Sequence, residues 1–237
     1  MRPQSSNGRD RMLARISSAL GRRELAKPVP LLPFELNIPK PDQEELTARF
    51  ILEVQSAGGS VAQVSSRFEV QTYLKTVLGS ADQIVALSDG ATLRGLGIGD
   101  WLQSSGFSVL GTFREFAASN GADFERYKHR LFEADLGITS ASYGLADTGT
   151  LILLSRSEQL RLISLLPPIH VCILDPKQIL WSLSDLLAHE QQKFLTSESQ
   201  HQTMTCITGP SRTADIEQTI TMGVHGPHSL HVLLYSL

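Results

Sequence analysis

The sequence predicts an α/β fold, a layered and mostly parallel sheet with flanking helices, and two observations support that class. Between residues 42 and 134, short apolar runs alternate with amphipathic helical patterns, as in successive βα units. After residue 135, strand-like runs follow one another without helices between them, which predicts some antiparallel strands in the C-terminal half. The 237 residues, 41% of them hydrophobic, suffice for a buried core.

The first 41 residues are expected to be separate from a body at residues 42–237. Met12, Ile16 and Leu20 recur at helical spacing and predict a surface helix that packs locally. Five prolines between residues 27 and 41 predict an extended linker. Residues 1–27 hold seven basic and two acidic side chains, so they carry +5 and leave −8 on the rest of a chain whose net charge is −3. This basic segment could dock on an acidic partner or on the acidic body, and its Arg and Ser content also resembles a transit peptide.

The elements of the body follow from the period of their apolar residues. Helices are predicted at residues 42–57, 67–78, 96–103, 124–132 and 181–194. Strands are predicted at residues 61–64, 83–87, 107–110, 136–143, 150–154, 169–174, 178–180, 204–207 and 230–235. Between the last two strands, a turn, a short helix at residues 213–222 and a second turn are expected.

Composition argues against several classes of function. A net charge of −3 gives no reason to expect nucleic-acid binding. Cys172 and Cys206 lie in apolar runs and are interpreted as buried structural thiols; two cysteines are too few for an iron–sulfur or zinc site. No run approaches a membrane span of roughly 20 apolar residues, and no apolar signal core follows Met1. We therefore expect a cytoplasmic protein without a membrane span, and no metal site.

The polar segment at residues 208–217 is the most informative feature. If a helix starts here, Ser211, Arg212 and Thr213 lie at its N-terminus, where backbone N–H groups and the helix dipole favour an anion. A guanidinium beside such amides can hold a carboxylate or phosphate in two places. The alternative is that Ser211 or Thr213 caps the helix and Arg212 is a surface charge.

Two further loops carry side chains that could do chemistry. Asp147 joins two strand-like runs and could act as a general acid or base, with hydroxyl donors and a glycine beside it; otherwise it bonds to its own backbone in a hairpin turn. His225 lies in a turn before the last strand, where it could carry protons or bond to a main-chain carbonyl. His228 and His231 follow closely, but on a strand they would point to opposite faces, which argues against a metal site.

Other polar residues have simpler explanations and form a second rank of candidates. Glu158 and Arg161 are three residues apart, the spacing of a surface ion pair on a helix. His170 directly precedes an apolar run and is interpreted as a structural histidine. Asp215 and Glu217 would fall in the first turn of the expected helix, where acidic side chains are favourable.

Three stretches resemble the lactate utilisation protein C family (LutC/YkgG), which consists of a LUD domain. They are residues 137–150 with the sequence Ala146-Asp147-Thr148-Gly149-Thr150, residues 157–171 with Pro167-Pro168-Ile169-His170, and residues 208–227. Where the family commonly has a glutamate, this chain has Asp147, whose carboxylate is one methylene shorter. The resemblance makes Asp147 and His225 the catalytic candidates. Its ligand-binding candidates are Thr148, Gly149, Thr150, Gly209, Pro210, Ser211, Arg212, Thr213 and Gly226.

The resemblance implies a fold similar to the NagB/RpiA/CoA-transferase superfamily and a role in oxidising L-lactate to pyruvate. It implies iron–sulfur clusters in two partner proteins and none in this chain, and a small carboxylate or phosphate-bearing ligand. Two other functions stay open. One is a non-catalytic scaffold subunit for the iron–sulfur proteins, and the other is CoA transfer or sugar-phosphate isomerisation by analogy of fold. Whether this chain catalyses a reaction is left open.

Overall fold

The computed structural model describes residues 8–20, 41–79, 82–111, 121–155, 161–195, 203–214, 220–223 and 225–236. The chain divides into two compact units, Met1–Pro39 and Lys40–Leu237. The described part of the first unit is helix α1, Gly8–Leu20, as predicted. Its apolar side chains Met12 and Ile16 are about half exposed, at 58% and 46%.

The second unit contains the remaining elements. Its helices are α2 Gln43–Ser56, α3 Arg67–Val77, α4 Ala91–Gly95, α5 Ile98–Ser104, α6 Gly121–Phe132 and α7 Leu183–Leu195. Short 3-10 helices lie at Arg161–Ser164 and Pro176–Gln178. Its strands are β1 Ser60–Val64, β2 Ile84–Leu87, β3 Ser108–Leu110, β4 Leu136–Ser140, β5 Tyr143–Leu145, β6 Thr150–Ser155, β7 Ile169–Leu174, β8 Ile179–Leu180, β9 Thr203–Ile207, β10 Arg212–Ala214, β11 Ile220–Met222 and β12 Ser229–Tyr235.

A parallel sheet forms the centre of this unit. Its six strands lie in the order β1-β12-β7-β4-β2-β3, and every pairing between neighbours is parallel. Strand β4 is buried along its whole length. A strand covered on both faces in this way does not need the alternation of apolar and polar residues that a half-exposed strand shows. The predicted mostly parallel α/β sheet is confirmed.

A second, mixed sheet supplies the antiparallel pairs predicted for the C-terminal half. Its order is β8-β5-β6-β9, with β6 antiparallel to both β5 and β9. Strand β9 is an edge strand of this sheet and leaves Cys206 exposed, so the prediction that this thiol is buried is wrong. Cys172, on the central strand β7, is buried as predicted.

Apolar side chains cover both faces of the parallel sheet. On one face, α3, α4 and α5 pack through Val70, Leu74, Leu93 and Leu102 against β2, β4 and β7. On the other face, α2 and β6 pack through Phe50, Val54, Leu151 and Leu153 against β7 and β12. Beside them, α6 packs through Tyr127 and Leu131 onto β2 and β3. The core therefore consists of layers on either side of one sheet.

Local sequence explains where the helices begin and end. The side chain of Asp42 accepts a hydrogen bond from the Glu45 amide and caps α2, and Ser66 caps α3 through the Glu69 amide. The helix predicted at residues 96–103 is instead two helices, α4 and α5. Gly97 separates them with φ of 57°, a left-handed conformation that favours glycine.

Candidate functional site

The three loops that carry the catalytic and ligand-binding candidates meet at one place, beside the C-terminal end of helix α2. A Cβ atom on Gly149 (φ 64°) would lie 2.7 Å from the carbonyl carbon of Glu53, and one on Gly209 (φ 79°) would lie 2.7 Å from the carbonyl oxygen of Ala57. The Ser211 amide donates a 2.8 Å hydrogen bond to the carbonyl of Pro227. These contacts bring the 146–149 turn, the 208–211 loop and the 225–227 turn together, and we call this the α2-end cluster.

The cluster lies at the amino-terminal edge of the parallel sheet. Helix α2 leads through Gly58 and Gly59 into β1, and the 225–227 turn leads into β12. Strands β1 and β12 run parallel, so their first residues share an edge. Ligands in open α/β sheets usually bind at the opposite, carboxyl edge. The sequence could not reveal that the cluster lies at the amino-terminal edge, because it does not show which strands pair.

Hydroxyl groups connect the 146–149 turn to the 208–211 loop. The Thr148 hydroxyl donates to the Asp147 carboxylate at 3.0 Å and lies 2.8 Å from the Thr150 hydroxyl. Thr150 in turn lies 2.7 Å from the hydroxyl of Thr208. This row of hydrogen bonds joins residues 61 positions apart in the sequence, from Asp147 to Thr208. Thr208 lies in the polar segment at residues 208–217 but is not among the site residues predicted from the sequence.

Arg212 is held at the C-terminal end of a helix, not at the N-terminal end as expected. Its Nη2 donates a 2.7 Å hydrogen bond to the carbonyl of Ala57, the residue that follows α2. A Cβ atom on Gly58 would collide with this nitrogen, so glycine makes room for the arginine. A cation is favourable at the C-terminal end of a helix, where carbonyl groups lack partners.

The prediction of a helix at residues 213–222 is wrong. Residues Arg212–Ala214 and Ile220–Met222 form an antiparallel hairpin, β10–β11, in which Thr213 pairs with Thr221. β-branched side chains such as Thr213, Ile220 and Thr221 favour strands over helices. Ser211, Arg212 and Thr213 therefore do not form a helix N-terminus. Asp215 and Glu217 lie outside the described residues.

The other candidates differ widely in environment. His225 is exposed in the 225–227 turn, and the main chain of Gly226 packs near Ser211, where an added Cβ would lie 3.2 Å from the serine Cβ. Pro210, which follows Gly209 in the same loop, is buried. Arg161 is exposed at the start of a 3-10 helix, and its predicted partner Glu158 lies outside the described residues.

His170 belongs to a separate polar group within the core. Its Nε2 lies 2.8 Å from the hydroxyl of Thr139, which also donates to the Cys172 sulfur at 3.5 Å. Burial, together with the nearby His231, lowers the pKa of His170 to about 3. Burial raises the pKa of the Cys172 thiol to about 12, and this effect outweighs the hydrogen bonds from Thr139 and the Ala141 amide, which lower the pKa. His170 is thus uncharged at neutral pH, which agrees with its interpretation as a structural histidine.

Within the part of the chain that the structure describes, no three His, Cys, Asp or Glu side chains come together as a metal site would need. No described helix is both long and apolar enough to cross a bilayer.

Comparison with known proteins identifies relatives for most of the chain. A family model for the LUD domain matches residues 47–235. Lactate utilization protein C of Halalkalibacterium halodurans is 37% identical over 103 residues, which cover 44% of this chain and 45% of that protein. Uncharacterized protein YkgG of Escherichia coli is 35% identical over 146 residues, 62% of this chain and 60% of that protein. The chain spans about half the length of the curated relatives it matches.

One solved structure shares the fold. A DUF162 family protein from Deinococcus radiodurans superposes with a TM-score of 0.55 at 20% sequence identity, covering 82% of this chain and 99% of that one. At this identity the likeness supports the α/β architecture alone.

Proposed function

Since this chain belongs to the LUD domain family, we propose that it acts in L-lactate utilisation, in the oxidation of L-lactate to pyruvate. The names of its relatives support this role, because several are lactate utilization protein C. Iron–sulfur partner proteins supply the electron-transfer centres in this proposal. This chain carries no such centre of its own, since its two cysteines fall short of the roughly four ligands that a cluster needs.

The α2-end cluster is the proposed binding site for a small carboxylate or phosphate-bearing ligand. The fixed position of Arg212 is the observation that carries this proposal. Its bond to Ala57 uses one of several N–H groups on the guanidinium, and the anchored side chain is preorganised to bind an anion with the others. The hydroxyls of Ser211 and Thr208 lie on the same loop.

Asp147 and His225 are the proposed proton-transfer groups of this site. Asp147 accepts a hydrogen bond from Thr148, and further hydrogen bonds lead from Thr148 through Thr150 to Thr208 on the 208–211 loop. His225 lies one residue from Gly226, which packs near Ser211. Carboxylate and imidazole side chains are among those that serve as general acids and bases when they lie within hydrogen-bond reach of a ligand.

Growth on L-lactate tests the proposal. A bacterium lacking its own family member would receive the wild type, Arg212→Ala, Arg212→Lys or Arg49→Ala at equal protein levels. Arg49 is a matched control, because it is an exposed arginine on α2 that pairs with Glu53 at 2.6 Å. We expect rescue by the wild type and by Arg49→Ala, partial rescue by Arg212→Lys, and none by Arg212→Ala.

Each other outcome has its own meaning. Full rescue by Arg212→Ala would exclude the proposed anion site at Arg212 but would still support the role in lactate utilisation. If the wild type fails even when its own iron–sulfur partner proteins are supplied, the lactate role is wrong.

A second candidate function is a scaffold subunit for those partner proteins. Helix α1 favours it, since an exposed helix bearing Arg11 and Arg15 beside Met12 and Ile16 is suited to an acidic partner. Deleting residues 1–27 should then weaken binding to the iron–sulfur proteins, and added salt should weaken the wild-type complex in the same way. Equal binding with and without the segment would exclude α1 from this role.

A further inference from the structure

The parallel sheet has a topological switch point between its adjacent strands β2 and β4. Neither strand contributes residues to the α2-end cluster. After β2 the chain continues through α4 and α5 to β3, on one side of the sheet, and these helices contribute Leu93 and Leu102 to the core of one face. After β4 it continues through β5 and β6 towards β7, on the other side, and Leu151 contributes to the core of the opposite face. The two connections therefore run towards opposite ends of the strand order, and they cover opposite faces of the sheet.

In open α/β sheets, a crevice forms where two adjacent strands send their connections in opposite directions, outside their carboxyl ends. Strands β2 and β4 are adjacent and parallel, and the Ser88 amide still bonds to the Ile138 carbonyl at 3.0 Å just beyond β2. The segments that leave these strands are residues 88–90 and residues 140–142. We call them the switch-point loops.

Both switch-point loops begin with a buried serine. Ser88 is 3% exposed and Ser140, the last residue of β4, is 7% exposed. Among the residues that the structure describes, the buried hydroxyl of Ser88 has no hydrogen-bond partner. Such orphaned groups are rare in folded proteins and need an explanation, such as an ordered water, an ion or a functional role.

Charged groups of both signs lie on the residue after Ser88 and on helices at the same edge of the sheet. The Asp89 carboxylate pairs with the Arg94 guanidinium, which also donates to the Asp89 carbonyl at 2.9 Å. From the start of α3, at the same edge of the sheet, Arg67 Nη2 reaches the carbonyl of Gly97 at 3.4 Å. This edge of the sheet therefore offers a neutral hydroxyl and a carboxylate on the first switch-point loop, and guanidinium groups at the start of α3 and in α4 that can bind anions.

We infer that the switch-point loops form a second binding site, for a small molecule that carries both a hydroxyl and an acidic group. Its hydroxyl bonds to Ser88 and Asp89, and its acidic group binds the outer side of Arg94. A hydroxycarboxylic acid and a phosphorylated polyol share this chemistry. The inference does not depend on the α2-end cluster, which lies at the other edge of the sheet.

The test is a two-dimensional amide NMR titration of the full chain, labelled with ¹⁵N and deuterated, with each of four probes. L-lactate and glycerol 3-phosphate carry an alcohol hydroxyl and an acidic group, whereas pyruvate and inorganic phosphate have an acidic group but no alcohol. We expect saturable shifts at residues 88–90 and 140–142 with L-lactate or glycerol 3-phosphate, and binding at least roughly tenfold weaker with the other two, because a hydrogen bond is missing.

The variant Ser88→Ala should weaken that binding roughly tenfold. Ser104→Ala, which removes an exposed hydroxyl from α5, should leave it unchanged. An absence of shifts at these residues with all four probes would overturn the inference, as would equal affinity in Ser88→Ala; ordered water would then occupy the space at Ser88. Shifts at residues 147–150 and 208–212 report on the α2-end cluster, so the two proposed sites can fail independently.

Discussion

Arg212 donates a 2.7 Å hydrogen bond to the carbonyl oxygen of Ala57, which joins the β10–β11 hairpin to the end of helix α2. The glycines at positions 58 and 59 continue the cap, since their amides bond to the carbonyls of Gln55 and Val54 at 2.9 Å. The arginine for which anion binding is proposed therefore stabilises the chain, and its effects on stability and on binding must be measured separately.

Replacing Arg212 by alanine should lower the free energy of unfolding by about 0.5–1 kcal/mol, through loss of one exposed hydrogen bond and of a cation at a helix C-terminus. Urea denaturation of Arg212→Ala and of the control Arg49→Ala measures this difference. A loss of several kcal/mol would mean that growth defects of Arg212→Ala reflect unfolding, and Arg212→Lys would become the informative variant.

Gly149 should not tolerate a side chain. Its φ of 64° is unfavourable for alanine, and the added Cβ would collide with the main chain of Glu53 and Val54, which cannot move without distorting α2. We expect Gly149→Ala to destabilise the protein by more than about 2 kcal/mol in urea denaturation. In Gly95→Ala the new methyl group meets nothing within 4 Å, so this control should be neutral or stabilising by up to about 1 kcal/mol. Equal stabilities would show that the 146–149 turn does not pack on α2 in this way.

His170 should make stability depend on pH. Its pKa is about 3 in the folded protein and 6.5 as a free side chain, so the unfolded chain takes up a proton below pH 6.5 that the folded chain excludes. Stability conferred by the neutral imidazole is therefore present above pH 6.5 and is lost as the pH falls. Between pH 7 and pH 5 this loss should reach about 2 kcal/mol.

The comparison of wild type with His170→Gln isolates that contribution, because the carboxylates and His231 titrate in both proteins. The difference in unfolding free energy between the two should shrink as the pH falls from 7 to 5. His225→Gln, at an exposed position, is the control. A difference that is constant over this range would mean that His170 takes up a proton as readily in the folded protein as in the unfolded chain.

The two cysteines should differ in reactivity. Cys172 is buried and its pKa is raised to about 12, so it holds almost no thiolate, whereas Cys206 is exposed on an edge strand. A colorimetric disulfide reagent should modify one thiol in the native protein and both in denaturant. The variant Cys206→Ser should abolish the native reaction. A native reaction that survives in Cys206→Ser would indicate that the core around β7 opens readily.

Local pattern alone was enough to identify most elements of this protein. The spacing of Val70, Leu74 and Val77 predicts α3, and the apolar run at 169–174 predicts β7, because helical and strand periods are properties of neighbouring residues. The family could be recognised in the same way, since its motifs are short and continuous in sequence. Residues 213–222 were predicted to form a helix, and their polar residues have no clear period that could have indicated strands. Their conformation is fixed by the pairing of β10 with β11, which the sequence does not show.

Tertiary structure decided which of these residues meet. The bond from Arg212 to Ala57 and the row of hydroxyls from Asp147 to Thr208 join segments that are distant in sequence, through strand pairings that no local signal specifies. The same holds for the switch point between β2 and β4, which depends on the order of strands in the sheet. Sequence determined most of the elements because their propensities are local. Only the packed sheet determined where the candidate sites lie, because each is placed where separate elements converge.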